Sequence, residues 1–330
     1  MRKSFAFWIE NYLFYPNFLQ TILAYFLSPL SFIYLNICKI KKFYSKPINF
    51  NIPIISIGNL VVGGSGKTPL TIELAKRYEK VFIVLRGYKR DSKGLQIVSL
   101  DGEIKTDINN SGDEAMLLAK SLKKASVIVS ENRVEAIKRA KTLGAKVIFL
   151  DDGFSKYNIK KFDILLSSKK EPKHNFCLPS GAYRMPKSFY KYANLILKED
   201  DDFKRIVSLR HLEKNDLKKE ININELNKDF TKKNLLLSAI SKPKRLLEFF
   251  PKNMGLECEF FPDHHDFTKK ELNDILLKYE NFNIFCTQKD LVKLEKHIFF
   301  FNKKNIYSMD LELKLIKNDF LQKEPFISLS

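Results

Sequence analysis

Cysteine is scarce in this chain of 330 residues: Cys38, Cys177, Cys258 and Cys286 stand far apart, with no Cys-x-x-Cys pair among them. That spacing speaks against a zinc site and against a disulfide framework, and it suits a reducing compartment. No block of Lys and Arg interleaved with aromatics is present, so nucleic acid is a poor candidate partner. Internal repeats and low-complexity tracts are absent too, beyond a general richness in lysine. Acidic residues are outnumbered, 38 against 57 basic, which leaves a formal net charge of +19. Such a surplus favours anionic partners, although a lysine-rich surface is equally what the Ile, Asn and Phe bias of an AT-rich genome would produce. With 45% hydrophobic and 29% charged residues the chain is globular, and its length allows two cores.

A continuous apolar run of about 20 residues, the requirement for a membrane-spanning helix, is also lacking. The N-terminus nevertheless carries no charged side chain from Asn11 to Cys38, and Lys39, Lys41, Lys42 and Lys46 follow. Pro16 and Pro29 cut this stretch into pieces too short to span, and Gln20, Ala24 and Ser28 recur every four residues opposite a wide apolar face. The pattern predicts a helix lying in a membrane interface, with lysines on anionic lipid at roughly 1 kcal/mol each. The alternative is a helical hairpin packed on the body of the protein. No small-residue cleavage site follows, which argues against a signal peptide. Retention of membrane binding after deletion of residues 1–40 would remove the interfacial reading.

Beyond Pro47, apolar runs at 54–57, 81–85, 127–129, 147–150 and 162–166 alternate with helical stretches at 67–78, 113–122 and 131–143. Short apolar strands separated by helices predict an α/β fold with a doubly wound, mostly parallel sheet. "LQIVSLDGEIKT" predicts an inserted hairpin with Asp101-Gly102 at its turn. An irregular stretch from Asn158 to Asp202 precedes a second α/β series, 235–239, 244–250, 256–261, 268–279, 284–286, 289–296 and 305–309. The expected organisation is an N-terminal helical segment at a membrane interface (1–45), an α/β core (46–203) and a smaller second α/β lobe (204–330) across a cleft.

Chemistry concentrates in a few motifs. In "ISIGNLVVGGSGKTPL" a strand runs into glycines and then a helix. Gly63, Gly64, Ser65 and Gly66 would turn backbone N–H groups inward, Lys67 would lie against the β- and γ-phosphates of a nucleotide, and Thr68 would bind Mg²⁺. A strict Walker sequence has glycine where Val61 stands. "KVIFLDDG" ends an apolar strand in Asp151 and Asp152, carboxylates suited to Mg²⁺ beside a phosphate loop. "SGDEAMLLA" places Asp113 and Glu114 at a helix start, where acidic groups also favour the helix dipole. "FPDHHDF" sets His264 and His265 between carboxylates, readable as a metal site, an acid/base pair or a polar turn; adjacent histidines on a strand point to opposite faces and do not share a metal easily.

These motifs, with "LRGYKRDSKG" and "LPSGAYRMP", resemble in order and over nearly the whole chain the tetraacyldisaccharide 4'-kinase family of lipid A synthesis, whose phosphate loop also lacks the first Walker glycine. The resemblance implies a phosphate-loop NTPase-like kinase on the cytoplasmic face of the bacterial inner membrane. It would transfer the γ-phosphoryl of ATP, with Mg²⁺, to the 4'-hydroxyl of a tetraacylated disaccharide 1-phosphate, with no obligate protein partner. By motif, Lys67 and Thr68 serve ATP and Mg²⁺, Asp151 and Asp152 complete the metal site with Glu114, and Asp113 activates the hydroxyl with help from His264. Arg86, Arg184 and His265 are candidates for substrate contacts. The chain departs from the family pattern at Ser155 and Lys156, where Gln-His is usual, and at Met185 and Gln288, each where Glu is usual. The rival reading is a phosphate-loop switch or metallochaperone-type NTPase acting on a protein partner.

Overall fold

The computed structural model describes residues 2–167, 169, 171–212, 218–221, 233–251, 254–297, 305–322 and 325–326. The chain divides into two compact units, one of residues 1–204 with 313–330 and the other of residues 205–312. The return of the C-terminal stretch to the first unit is a feature that a single boundary near residue 203 does not contain.

The first unit opens with two helices, α1 (Arg2–Phe14) and α2 (Phe18–Phe43). α2 begins at a capping box, in which Asn17 and Gln20 exchange side-chain to backbone hydrogen bonds. It does not end at Pro29. The helix continues through it but bends by 54° between Phe18–Phe26 and Ser28–Phe43. Proline lacks the N–H and crowds the carbonyl four residues back, so a bend is the accommodation that keeps both halves helical.

The Gln20–Ala24 stripe faces the protein, continuing through Ser31, and all three are buried. Ser31 Oγ donates to the Cys177 carbonyl at 2.6 Å and meets Ser180 Oγ at 2.8 Å. The apolar face points outward, with Phe18, Phe26 and Phe43 about four-fifths exposed (78%, 80% and 81%). The helix therefore packs on the body of the unit through its small and polar residues, and leaves a broad apolar surface uncovered. Among the described residues no single helix is long and apolar enough to cross a membrane, although the two halves of α2 pass that test together.

The expected strands form, with β1 and β2 buried throughout: β1 (Ile54–Gly58), then helix α3 (Lys67–Ala75), β2 (Val81–Leu85), β3 (Gln96–Leu100) and β4 (Glu103–Ile104). There follow α4 (Ile108–Ser111), α5 (Asp113–Ser121), β5 (Ser126–Val129), α6 (Arg133–Thr142), β6 (Val147–Asp151), β7 (Phe162–Ser167) and β8 (Leu195–Lys198). The sheet order is β4-β3-β5-β2-β6-β1-β7-β8, parallel except where β3 pairs antiparallel with β4 and β5. The β3-β4 pair is the expected hairpin. Asp101 and Gly102 have φ of 47° and 87°, the left-handed geometry that matches strand twist. A Cβ on Gly102 would lie 1.7 Å from the Lys123 carbonyl oxygen, so only glycine fits.

The second unit contains a six-stranded sheet of β9 (Phe203–Leu212), β10 (Lys218–Ile221), β11 (Asn234–Ser238), β12 (Leu256–Phe260), β13 (Asn283–Thr287) and β14 (Ile306–Leu315), in the order β10-β9-β14-β13-β11-β12. β9 and β14 run across the division between units. Helices α7 (Lys269–Lys278) and α8 (Gln288–Leu294) are capped by Thr268 and Thr287. The stretch expected at 244–250 forms a 3-10 helix, Pro243–Phe249.

Candidate active site

Strand β1 is buried along its whole length and delivers the chain to the glycine-rich loop. Gly66, at φ 89° and ψ 17°, is the N-cap of α3, a left-handed position that lets Lys67 open the helix. Thr68 follows on the first turn, half-buried. The loop is held from outside: Val62 N–H donates to the Ala182 carbonyl at 2.8 Å, and Val61 bridges to Tyr183. Val61 thus stands at a point where a side chain is accommodated. Ser65 Oγ is buried and makes no hydrogen bond among the described residues, a donor suited to a bound anion.

Parallel pairing sets the rest of the site. β1, β2, β5 and β6 all point their carboxyl ends to one edge, so the residues that follow them share that edge. Lys67 follows β1, Arg86 follows β2, Arg133 follows β5, and Asp151 closes β6 directly opposite Ile57. α5 leads into β5, so Asp113 and Glu114 at its start lie at that same edge. Asp113 is buried, and its Oδ1 accepts the Glu114 backbone N–H at 2.9 Å. The 86–94 loop is tied to the turn ahead of α5: Asp91 N–H donates to the Asn109 carbonyl at 2.8 Å, and Ser92 Oγ to that of Asn110 at 2.6 Å.

The two adjacent carboxylates differ sharply. Asp151 is 3% exposed, and its Oδ1 has no hydrogen-bond partner among the described residues. Burial, reinforced by the Glu114 carboxylate, raises its pKa to about 7 against the pull of Lys67. Asp152 sits at φ 54° with its N–H on the Ile57 carbonyl at 2.9 Å. Burial would raise its pKa, but Lys67 and Arg184 outweigh it and pull the carboxyl down to about 2. Arg133, which the motif reading passed over, is buried at 4% exposure and electrostatically coupled to both acids. Its Nε has no acceptor among the described residues. An unmatched carboxylate oxygen, an unmatched guanidinium N–H and an unmatched hydroxyl at one strand edge are the complement of an anion accompanied by a cation. The residues therefore fit a nucleotide phosphate with Mg²⁺. Among the described residues no three His, Cys, Asp or Glu groups converge as a metal cage, which suits an ion that takes one or two carboxylates and completes its shell with phosphate and water.

Arg184 lies against the same loop. Its Nη1 donates to Asp152 Oδ2 at 2.7 Å, Nη2 contacts Asp152 Oδ1 and donates to Asn59 Oδ1 at 2.7 Å, and Nε donates to the Asn59 carbonyl at 3.1 Å. Asn59, within the glycine-loop motif but not singled out there, also accepts from Lys67 Nζ at 3.1 Å. Next along the chain, Met185 is buried in a cluster with Leu60, Phe154, Tyr157 and Phe189. This position therefore carries an apolar side chain in the core, and Tyr157 O–H points at its sulfur at 3.4 Å. Ser155 and Lys156 lie in the loop after β6, and burial with the nearby charges of Arg133, Lys41 and Arg86 lowers the Lys156 pKa.

In the second unit the histidines of "FPDHHDF" follow the carboxyl end of β12 and diverge. His264, at φ 58°, donates its N–H to the Ala239 carbonyl at 3.2 Å and has Lys289 Nζ at 3.3 Å from Nε2 and Asp263 at 3.7 Å. His265 stacks on Phe261 with ring centroids 4.7 Å apart and lies 3.3 Å from Glu271, the carboxylate of the α7 capping box. Gln288 starts α8 beside the buried Asp290, which accepts from Ser238 Oγ at 2.9 Å, Ala239 N–H at 3.0 Å and Thr287 Oγ1 at 2.7 Å.

A parallel doubly wound sheet, a glycine loop that opens a helix at Lys67, and an acid pair on the neighbouring strand end together define a phosphate-loop nucleotide enzyme. Comparison with known proteins narrows the class. The family model described as tetraacyldisaccharide-1-P 4'-kinase matches residues 23–324. A tetraacyldisaccharide 4'-kinase of Aliarcobacter butzleri is 57% identical over 329 residues, covering 99% of each chain. One from Campylobacter jejuni serotype O:2 is 45% identical over 312 residues, 94% of each. The crystal structure of the "apo" form of LpxK from Aquifex aeolicus in complex with ATP superposes with a TM-score of 0.73 at 29% identity, covering 93% of this chain and 100% of that one. The chain belongs to the tetraacyldisaccharide 4'-kinase family and is a kinase of lipid A biosynthesis.

Proposed function

We propose that the protein transfers the γ-phosphoryl group of ATP to the 4'-hydroxyl of a tetraacylated disaccharide 1-phosphate. The observation that carries this reading is the meeting of Lys67, Glu114, Asp151 and Asp152 at one edge of the first unit's sheet. Gly63, Gly64, Ser65 and Gly66 would bind the nucleotide's phosphates through the backbone, and Lys67 would lie against their β- and γ-oxygens. Thr68, with one or two of the carboxylates of Asp151, Asp152 and Glu114, would hold Mg²⁺. When bound, the ion would supply charge neutralisation between the β- and γ-phosphates. Asp113 would accept the proton of the sugar hydroxyl as its oxygen attacks phosphorus in line and the bond to ADP breaks. His264 is the motif's candidate for assisting activation of the hydroxyl, and Arg86 and His265 are the candidates for substrate contacts carried over from the motifs.

The acceptor is a lipid, and the uncovered apolar face of α2 supports work at a membrane surface, where the acyl chains stay in the bilayer. With the lysines that follow it, that face supports placement on anionic lipid at the cytoplasmic face of the inner membrane. No partner protein enters this scheme. Labelled ATP mixed with the disaccharide acceptor in mixed micelles tests it directly. Label should pass to the 4' position only when acceptor is present; ATP hydrolysis that ignores the acceptor would favour an NTPase instead.

A further inference from the structure

The side chain of Arg184 is turned inward. Its guanidinium is a two-pronged clamp on Asp152 and, on the other edge, grips both the backbone carbonyl and the side-chain oxygen of Asn59. Asn59 is 2% exposed, and both ends of its amide are engaged: Nδ2 donates to the Val61 carbonyl, and Oδ1 accepts from both Arg184 and Lys67. The main chain of Arg184 extends the assembly. Its N–H donates to the Leu60 carbonyl at 2.9 Å, and its carbonyl accepts from Tyr34 O–H of α2 at 2.8 Å. One arginine thus ties together the residue after β1, an acid after β6 and the apolar helix.

The neutral amide matters. It holds the Lys67 ammonium in place yet yields it to a phosphate, whereas a carboxylate at position 59 would compete with phosphate for the lysine. We propose that Arg184 is a positioning residue for the nucleotide half of the reaction: it fixes Asn59 and Asp152, Asn59 presents Lys67, and the acceptor's phosphate is met elsewhere. The inference rests on the glycine loop being the ATP site.

Steady-state kinetics with both substrates varied tests it in the full chain, with thermal unfolding as a check on folding. Arg184→Met and Asn59→Leu should each raise the KM for MgATP at least about tenfold, the loss expected for charge-assisted hydrogen bonds. The KM for the lipid acceptor should hold within about threefold, and the double variant should be no worse than the poorer single one by more than that factor, because both act on one network. Arg184→Lys keeps the charge but cannot fork between Asp152 and Asn59, so it should rescue little. Asn59→Asp should weaken MgATP binding while leaving the fold intact. A rise in acceptor KM alone, full rescue by Arg184→Lys, or strictly additive losses would overturn the proposal. Lys67→Ala separates the two levels: if it kept its activity, the loop assignment itself would fail, whereas a dead Lys67→Ala beside unchanged MgATP kinetics in the Arg184 and Asn59 variants would remove only this inference.

Discussion

Asp151 and Asp152 are adjacent in the chain and opposite in behaviour, because one is buried beside another acid and the other is clamped by Arg184. The pH dependence follows from the first. The folded-state pKa of Asp151 is raised from 3.8 to about 7, so between those values the unfolded chain is ionised there while the folded chain keeps its proton. The folded state binds the extra proton, and this group's contribution to ligand-free stability therefore declines as pH rises through that window and levels off above it. Asp151→Asn should flatten that slope and raise ligand-free stability at pH 8 by at least about 1 kcal/mol, read by denaturant unfolding, while abolishing transfer. Lys67→Ala should lower kcat/KM at least about 100-fold, as loss of a preorganised charge does; near-normal turnover would exclude the loop as the ATP site. Asp113→Ala should lower kcat by about 10²–10⁴-fold with nucleotide affinity retained, the pattern of a lost general base. The places of Lys67, Asp113, Asp151 and Asp152 were legible because each sits in a motif that ends a strand or opens a helix. Arg133 and Asn59 were not, since an arginine in "SENRVE" and an asparagine before a loop acquire meaning only from partners distant in sequence.

At the level of elements, the alternation of apolar runs and amphipathic stretches sufficed for the five central strands of the first sheet and their helices, because parallel strands covered on both faces are predominantly apolar. The Asp101-Gly102 hairpin was equally readable from turn chemistry. α2 shows where periodicity stops being decisive: a stripe of Gln20, Ala24 and small residues can face water or a protein surface, and packing against Cys177 and Ser180 selects the latter. At the start of β7, Lys161 and Asp163 form a 2.9 Å ion pair with side chains only 3% and 14% exposed. Lys161→Met should destabilise the protein by roughly 3–5 kcal/mol by leaving a buried charge unmatched, and adding Asp163→Leu should recover most of it. Equal instability of the single and double variants in chemical denaturation would show that the pair contributes through shape, not charge.

For the whole molecule, deletion of residues 1–40 is a blunt test of membrane attachment, because Tyr34, Leu35 and Cys38 pack against the Leu60, Phe154 and Tyr183 cluster and their loss would uncover it. Substitution on the outward face is cleaner. Phe18→Lys with Phe26→Lys should leave the unfolding midpoint nearly unchanged, yet reduce co-sedimentation with anionic vesicles at least about tenfold, since two large apolar side chains each contribute about 1.5–3 kcal/mol when buried. Unchanged co-sedimentation would exclude this face as the anchor.

The sequence alone determined the parallel α/β core, the phosphate loop and the family, because strand burial and phosphate chemistry impose residue types at fixed local spacings. Only the tertiary structure decided that the small stripe of α2 packs inward, that Arg184 clamps Asn59 and Asp152, and that Asp151 is the proton-holding member of its pair. Those outcomes depend on burial and on charges brought together from distant parts of the chain, quantities that no local window contains.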